Sequence, residues 1–79
     1  MKLEVFGSVA RGESRRGSDV DLIATFVVSP GLGFFSMADD MAFILGVPVD
    51  LLTHETVEEM TNPFRKQAIN RDRRIIYAA

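Results

Sequence analysis

At 79 residues the chain is one domain at most, residues 1–79. A chain of this size buries only about 60% of the surface its unfolded form exposes, so a small core is expected. The absence of cysteine excludes disulfide staples and zinc–thiolate sites, and a net charge of −2 argues against a general nucleic-acid-binding surface.

The start, Met1-Lys2-Leu3-Glu4-Val5-Phe6, lacks the long apolar run of a secretion signal, and no apolar stretch is long enough to span a membrane. A cytoplasmic location is the expectation. Leu3 to Phe6 alternates apolar and polar residues and then meets Gly7-Ser8, the pattern of a short strand ending in a turn. Val9 to Ser18 is too polar for a core and reads as a loop, with a helical turn at Val9-Ala10-Arg11 compatible with its start. Val20 to Val28 is rich in Val, Ile, Leu and Phe and predicts a second, mostly buried strand, ended by the turn cluster Ser29 to Gly33.

From Phe34 to Leu45 the apolar period changes. Phe34, Met37, Ala38, Met41, Ile44 and Leu45 fall on one helical face, with Ser36 as the expected N-cap and Gly46 as the stop. Val47 to Thr53 predicts a third strand, apolar except for Asp50, and Thr56 to Met60 a weak helical turn. Asn62 followed by Pro63 marks the start of a helix running to about Arg71, and Arg74 to Tyr77 reads as a short final strand or extended tail. This order predicts an α/β (α+β) domain: a small mixed sheet, because no crossover helix separates the first two strands, with the helices packed on one face.

Three carboxylates interrupt or begin apolar strands. Asp19 and Asp21 are two residues apart, so both side chains point to one face, where their mutual repulsion would be relieved by a hard divalent cation. Asp50 reaches the same cation, or a waiting hydroxyl, if its strand lies beside the second. The plainer alternative is that Asp19 caps a turn and Asp50 pairs with an arginine. Upstream, Gly7 lets the backbone approach a ligand closely, and Ser8 offers a hydroxyl and a nearby N–H, which together make a phosphate cradle at a strand end. Arg11 lies between cradle and carboxylates, suited to pair with a phosphate or to brace the aspartates. A phosphate cradle opposite paired metal-binding carboxylates is what phosphoryl or nucleotidyl transfer requires. The remaining charges, including Arg65, Lys66, Arg71, Arg73 and Arg74, read as solvated faces. His54, the only histidine, has no second His or Cys with which to build a zinc site and is expected at the surface or at a helix entry.

The stretch Val5-Phe6-Gly7-Ser8-Val9-Ala10-Arg11-Gly12, followed by Ser18-Asp19-Val20-Asp21-Leu22, resembles the nucleotidyltransferase superfamily related to DNA polymerase β, in particular its minimal nucleotidyltransferases. The resemblance implies the nucleotidyltransferase fold and transfer of a nucleoside monophosphate, usually AMP from ATP, with Mg²⁺ as cofactor. Carried onto this chain, it gives Gly7 and Ser8, with Arg11 nearby, to the nucleotide, and Asp19, Asp21 and Asp50 to metal and catalysis. It further implies an antitoxin paired with a HEPN-domain ribonuclease toxin, in some cases adenylylated on a tyrosine. A non-catalytic toxin-neutralising partner, and transfer to a small molecule such as an aminoglycoside, are the competing readings. Members commonly place a helix before the first strand, and here the strand begins almost at Met1. Either the chain is a truncated form, or apolar surface is left for a second copy or another protein, and a dimer or tight association with another protein is the expectation.

Overall fold

The structure, a computed structural model, describes residues 1–13, 19–27, 31 and 33–78. The expected loop positions Ser14 to Ser18, together with Val28, Ser29, Pro30 and Leu32, lie outside the described residues. The elements run β1 (Lys2–Phe6), α1 (Gly7–Ala10), β2 (Val20–Thr25), α2 (Gly33–Leu45), β3 (Val49–Thr53), α3 (His54–Glu58), α4 (Pro63–Asp72) and β4 (Arg74–Ala78).

The four strands form one sheet in the order β3-β2-β1-β4. β1 pairs antiparallel with β2 and with β4, whereas β2 and β3 run parallel, as strands joined through an intervening helix commonly do. The sheet is thus mixed, as expected from the order of elements.

The helices do not share one face, contrary to expectation. Neighbouring strand residues point to opposite sides, and the buried residues divide accordingly. Val5, Leu22, Ala24 and Leu51 face one way, where Val9 and Ala10 of α1 and Phe34, Met37, Ala38 and Met41 of α2 pack on them. Phe6 and Ile23 face the other way, against Val57 of α3 and Ile69 of α4, with Leu52 and Met60 at the margin. The physical reason is that β1 and β2 carry apolar residues at consecutive positions, Val5-Phe6 and Leu22-Ile23-Ala24, so both faces need a cover.

Local chemistry accounts for the helix limits. Asn62 Oδ1 accepts hydrogen bonds from the N–H groups of Phe64 (3.0 Å) and Arg65 (3.2 Å), and Pro63 occupies the first turn, as its fixed φ allows. Gly46, at φ +74°, stops α2. Ser36 does not cap that helix: α2 begins earlier, at Gly33, and the Ser36 hydroxyl instead donates back to the Gly33 carbonyl at 3.0 Å. Ile44 and Leu45, expected on the buried face, are exposed: the packing of α2 on the core runs from Phe34 to Met41, and its last turn extends past it. The expected weak turn is α3, which starts two residues early at His54 because Thr53 caps it, its Oγ1 accepting from Thr56 N at 3.1 Å. β2 and β3 are shorter than expected, with Phe26 and Val27 past the end of β2 and Val47 and Pro48 before β3.

A buried ion pair links the two ends of the chain. The Arg73 guanidinium, at the junction of α4 and β4, donates to both carboxylate oxygens of Glu4 on β1, at 3.0 Å through Nε. Arg73 Nη2 also lies 3.2 Å from His54 Nδ1, and His54 is the first residue of α3, a helix entry, as expected.

Candidate active site

The site is assembled at one end of β1 and β2. Phe6, the last residue of β1, is the antiparallel partner of Asp21 near the start of β2, so Gly7 comes directly beside the Asp21 carboxylate. The approach is close: a Cβ built on Gly7 would lie 2.5 Å from Asp21 Oδ2. Gly7 also has φ +73°, a left-handed conformation that costs other L-residues about 1–2 kcal/mol. Both constraints demand glycine, and both follow from ending a strand against a neighbour that carries an inward acid. The chain then turns at once into α1, whose N-terminus has no side-chain cap. Among the described residues the Ser8 hydroxyl has no hydrogen-bond partner, so amide and hydroxyl donors lie together at the strand end.

Asp50 reaches the same place through the parallel pairing of β2 and β3, in which Asp21 and Asp50 are register partners. Neighbouring strands lie about 4.8 Å apart, and register partners project to the same face. Asp19 precedes β2 by one residue and is exposed. The pairing of β2 with β3 is therefore what sets Asp50 beside Asp21.

The electrostatics are those of crowded anions. The Asp21 carboxyl titrates above its ordinary range, first because it is desolvated, then because Asp50 and Asp19 repel its charge. Arg65 and Arg11 oppose this through their positive fields. Among the described residues, none of the three aspartates forms an ion pair or a side-chain hydrogen bond, so a pairing of Asp50 with an arginine does not occur there. Nor do three His, Cys, Asp or Glu side chains among those residues converge closely enough to enclose an ion. The donor chemistry nonetheless fits a hard divalent cation: oxygen ligands alone, with Asp21 and Asp50 side by side and repelling each other.

Arg11 sits differently from the simplest expectation. Its Nη1 donates to Asp72 Oδ2 at 2.6 Å, and its Nε to Glu13 Oε2 at 3.0 Å. It is anchored by two carboxylates outside the aspartate set, while its charge is still felt at Asp21. Sequence reading passed over Asp72, which was one acid in a charged tail. It also passed over Arg65, read as a solvated charge. Arg65, Ile69 and Asp72 lie at i, i+4 and i+7 of α4, and Ile69 packs on Phe6 and Ile23, so this stripe faces the side of the sheet that carries Asp21. That spacing was the available signal.

The arrangement has the features expected of the class that the sequence resembles: a glycine turn at a strand end set against carboxylates of two neighbouring strands. Comparison with known proteins agrees with it. The family model of the nucleotidyltransferase domain matches residues 1–76, and the chain belongs to that family. A chain of Methanocaldococcus jannaschii, provisionally named a protein adenylyltransferase, is 35% identical over 71 residues, covering 89% of this chain and 69% of that one. The protein adenylyltransferase MntA of Thermococcus cleftensis is 34% identical over 58 residues, covering 72% of this chain and 59% of its own length.

Among solved structures, a chain of a toxin–antitoxin crystallised with AMP-PNP superposes with a TM-score of 0.74 at 19% identity, covering all of this chain and 61% of that one. A mutant of the toxin–antitoxin MntA-HpeT gives 0.70 at 15% identity, again over all of this chain and 61% of the other. These likenesses establish the fold. The chain spans roughly three-fifths to two-thirds of the length of the relatives it resembles.

Proposed function

We propose that residues 1–79 act as a minimal nucleotidyltransferase domain that moves AMP from ATP to a hydroxyl of a protein acceptor. The observation that carries this reading is the contact of Gly7 with Asp21, itself in register with Asp50. The names of the relatives in the previous section support adenylylation of protein rather than of a small molecule.

Gly7 and Ser8 bind the triphosphate through the donors of the strand-end turn, and Arg11 offers its remaining guanidinium edge to the same phosphates. Asp19, Asp21 and Asp50 would hold Mg²⁺, which supplies charge neutralisation along the triphosphate when bound. Asp50 accepts the proton of the attacking hydroxyl. The new bond joins that oxygen to the α-phosphorus, the bond from the α-phosphorus to the bridging oxygen breaks, and pyrophosphate leaves. The fold sets the turn and the carboxylates at one end of the sheet, so positioning of the triphosphate is the main contribution of these residues to the rate.

The biological setting in this reading is the cytoplasm, with the chain as the antitoxin beside a HEPN-domain toxin that is also the acceptor. Support comes from the toxin–antitoxin assemblies in which the fold recurs. Among the described residues no helix is long and apolar enough to cross a membrane.

The test is incubation with α-labelled ATP, Mg²⁺ and the HEPN-type protein encoded alongside. Label is expected on that protein, and Asp19→Ala and Asp21→Ala are each expected to reduce labelling at least a hundredfold. Undiminished labelling in both variants overturns the mechanism. Protection from the toxin that survives both substitutions, with no labelling at all, would make the chain a neutralising partner without catalysis.

A further inference from the structure

We propose that Asp72 is a positioning residue for the nucleotide site, acting through Arg11. The proposal rests on the reading of Gly7, Ser8 and Arg11 as a nucleotide cradle, and it extends that cradle to a residue 61 positions from Arg11 in sequence.

Asp72 is the last residue of α4 and is 7% exposed, an uncommon degree of burial for an acid. Its partners explain the burial. Oδ2 accepts from Arg11 Nη1 at 2.6 Å, and Oδ1 lies 3.5 Å from Arg71 Nε. The first contact is short and charge-assisted, and it ties together two neighbouring elements far apart in sequence, the turn after β1 and the end of α4. α4 is itself fixed, because Ile69, one turn earlier, is buried against Phe6 and Ile23. The rigid body of α4 therefore sets where the Arg11 guanidinium sits.

Glu13 holds the opposite edge. With Nε on Glu13 and Nη1 on Asp72, the guanidinium is gripped on two sides, and Nη2 has no partner among the described residues. A planar fork held in this way presents its free edge in one direction, at little further cost in side-chain entropy when an anion arrives. The same clamp restrains the backbone of the cradle: Arg11 N donates to Gly7 O at 3.1 Å, and Glu13 N to Ser8 O at 2.9 Å. Releasing Arg11 from Asp72 thus loosens both the fork and the turn that carries Gly7 and Ser8. Arg71 does not serve instead, since its side chain is largely exposed and its contact with Asp72 is longer.

Two readouts test this in Asp72→Asn and Asp72→Glu, both measured well below their melting temperatures. Amide hydrogen exchange follows the clamp. In Asp72→Asn, exchange of the Arg11 and Glu13 amides is expected to rise at least tenfold while the Ile23 and Leu51 amides stay protected, and Asp72→Glu is expected to restore slow exchange. Titration with AMP-PNP and Mg²⁺ follows the positioning: affinity is expected to fall about tenfold in Asp72→Asn and to recover in Asp72→Glu. Unchanged exchange at the turn, or unchanged affinity despite faster exchange, overturns the proposal. A wild-type chain that binds no AMP-PNP but shows the exchange pattern refutes the nucleotide reading and the positioning role with it, leaving only a structural clamp. If Asp72→Asn fails to fold, Arg11→Asp combined with Asp72→Arg takes its place: slow exchange restored with AMP-PNP affinity still lost is the expected result, and restored affinity overturns the proposal.

Discussion

A methyl group at position 7 would sit 2.5 Å from Asp21 Oδ2, on a backbone already in the left-handed region. Gly7→Ala must therefore displace either the turn or the carboxylate, and both belong to the proposed site. AMP transfer is expected to fall at least about a hundredfold, as for a misplacement of roughly 1 Å, while the melting temperature drops by several degrees. Steady-state labelling alongside calorimetry checks this, and retained transfer would show that the close approach is incidental.

Ionisable residues make a second argument at this scale. Hydrogen bonds from Arg73 hold the Glu4 carboxyl below its ordinary 4.5, and those from Arg11 hold Asp72 below 3.8. For both, the stabilisation is fully present above the unfolded pKa and is lost as pH falls through the lower folded value. Asp21 has the opposite sign: its raised carboxyl makes the charged form unfavourable at neutral pH, and acid relieves that cost. The melting temperature is expected to fall progressively as pH drops below the unfolded values, 4.5 for Glu4 and 3.8 for Asp72, and to level off once the lower folded values are passed. Glu4→Gln should flatten that decline and cost about 3 kcal/mol at pH 7, because Arg73 loses its anion. Asp21→Asn should leave neutral-pH stability unharmed. Thermal scans from pH 7 to pH 3 measure all three.

Among the elements, α4 links core to site. Asn62 and Pro63 start it, Ile69 anchors it beneath Phe6 and Ile23, and Asp72 ends it on Arg11. The cap satisfies two of the helix's free N–H groups, so Asn62→Ala is expected to cost about 1 kcal/mol, or roughly 4–8 °C in melting temperature for a domain of this size. Differential scanning calorimetry checks the value. The helix pattern at this end was legible because Asn-Pro has a local physical meaning. The start of α2 was not, since Ser36 is as good a cap in isolation as any serine, whereas in the fold the helix already begins at Gly33 and Ser36 bonds back to its carbonyl.

At the scale of the whole molecule, large apolar side chains remain uncovered. Phe43 is 89% exposed and Phe64 82%, and on the edge strand β4 Ile75, Ile76 and Tyr77 are all exposed. Among the described residues β4 pairs on one side only, with β1, so its other edge offers backbone groups for pairing. Association with a second copy or with a partner protein is the expected outcome, and light scattering should show a mass above 8.8 kDa for the chain alone or with the proposed acceptor added. A monodisperse monomer that does not bind the acceptor would refute it.

What the amino-acid sequence determined by itself is chemical and local. Gly7-Ser8 ahead of Asp19-Val20-Asp21, at fixed spacing, marked a strand-end turn followed by paired carboxylates, and the strand-first order implied a mixed sheet. Such features were readable because a turn, a cap or a same-face pair is set by residues a few positions apart. Tertiary structure alone decided the rest. It brought Asp50 into register with Asp21, closed Gly7 onto that carboxylate, divided the helices between the two faces and tied Arg11 to Asp72. Each of these depends on the pairing and packing of segments far apart in the chain, a choice made by the burial of the whole core and not written in any local pattern.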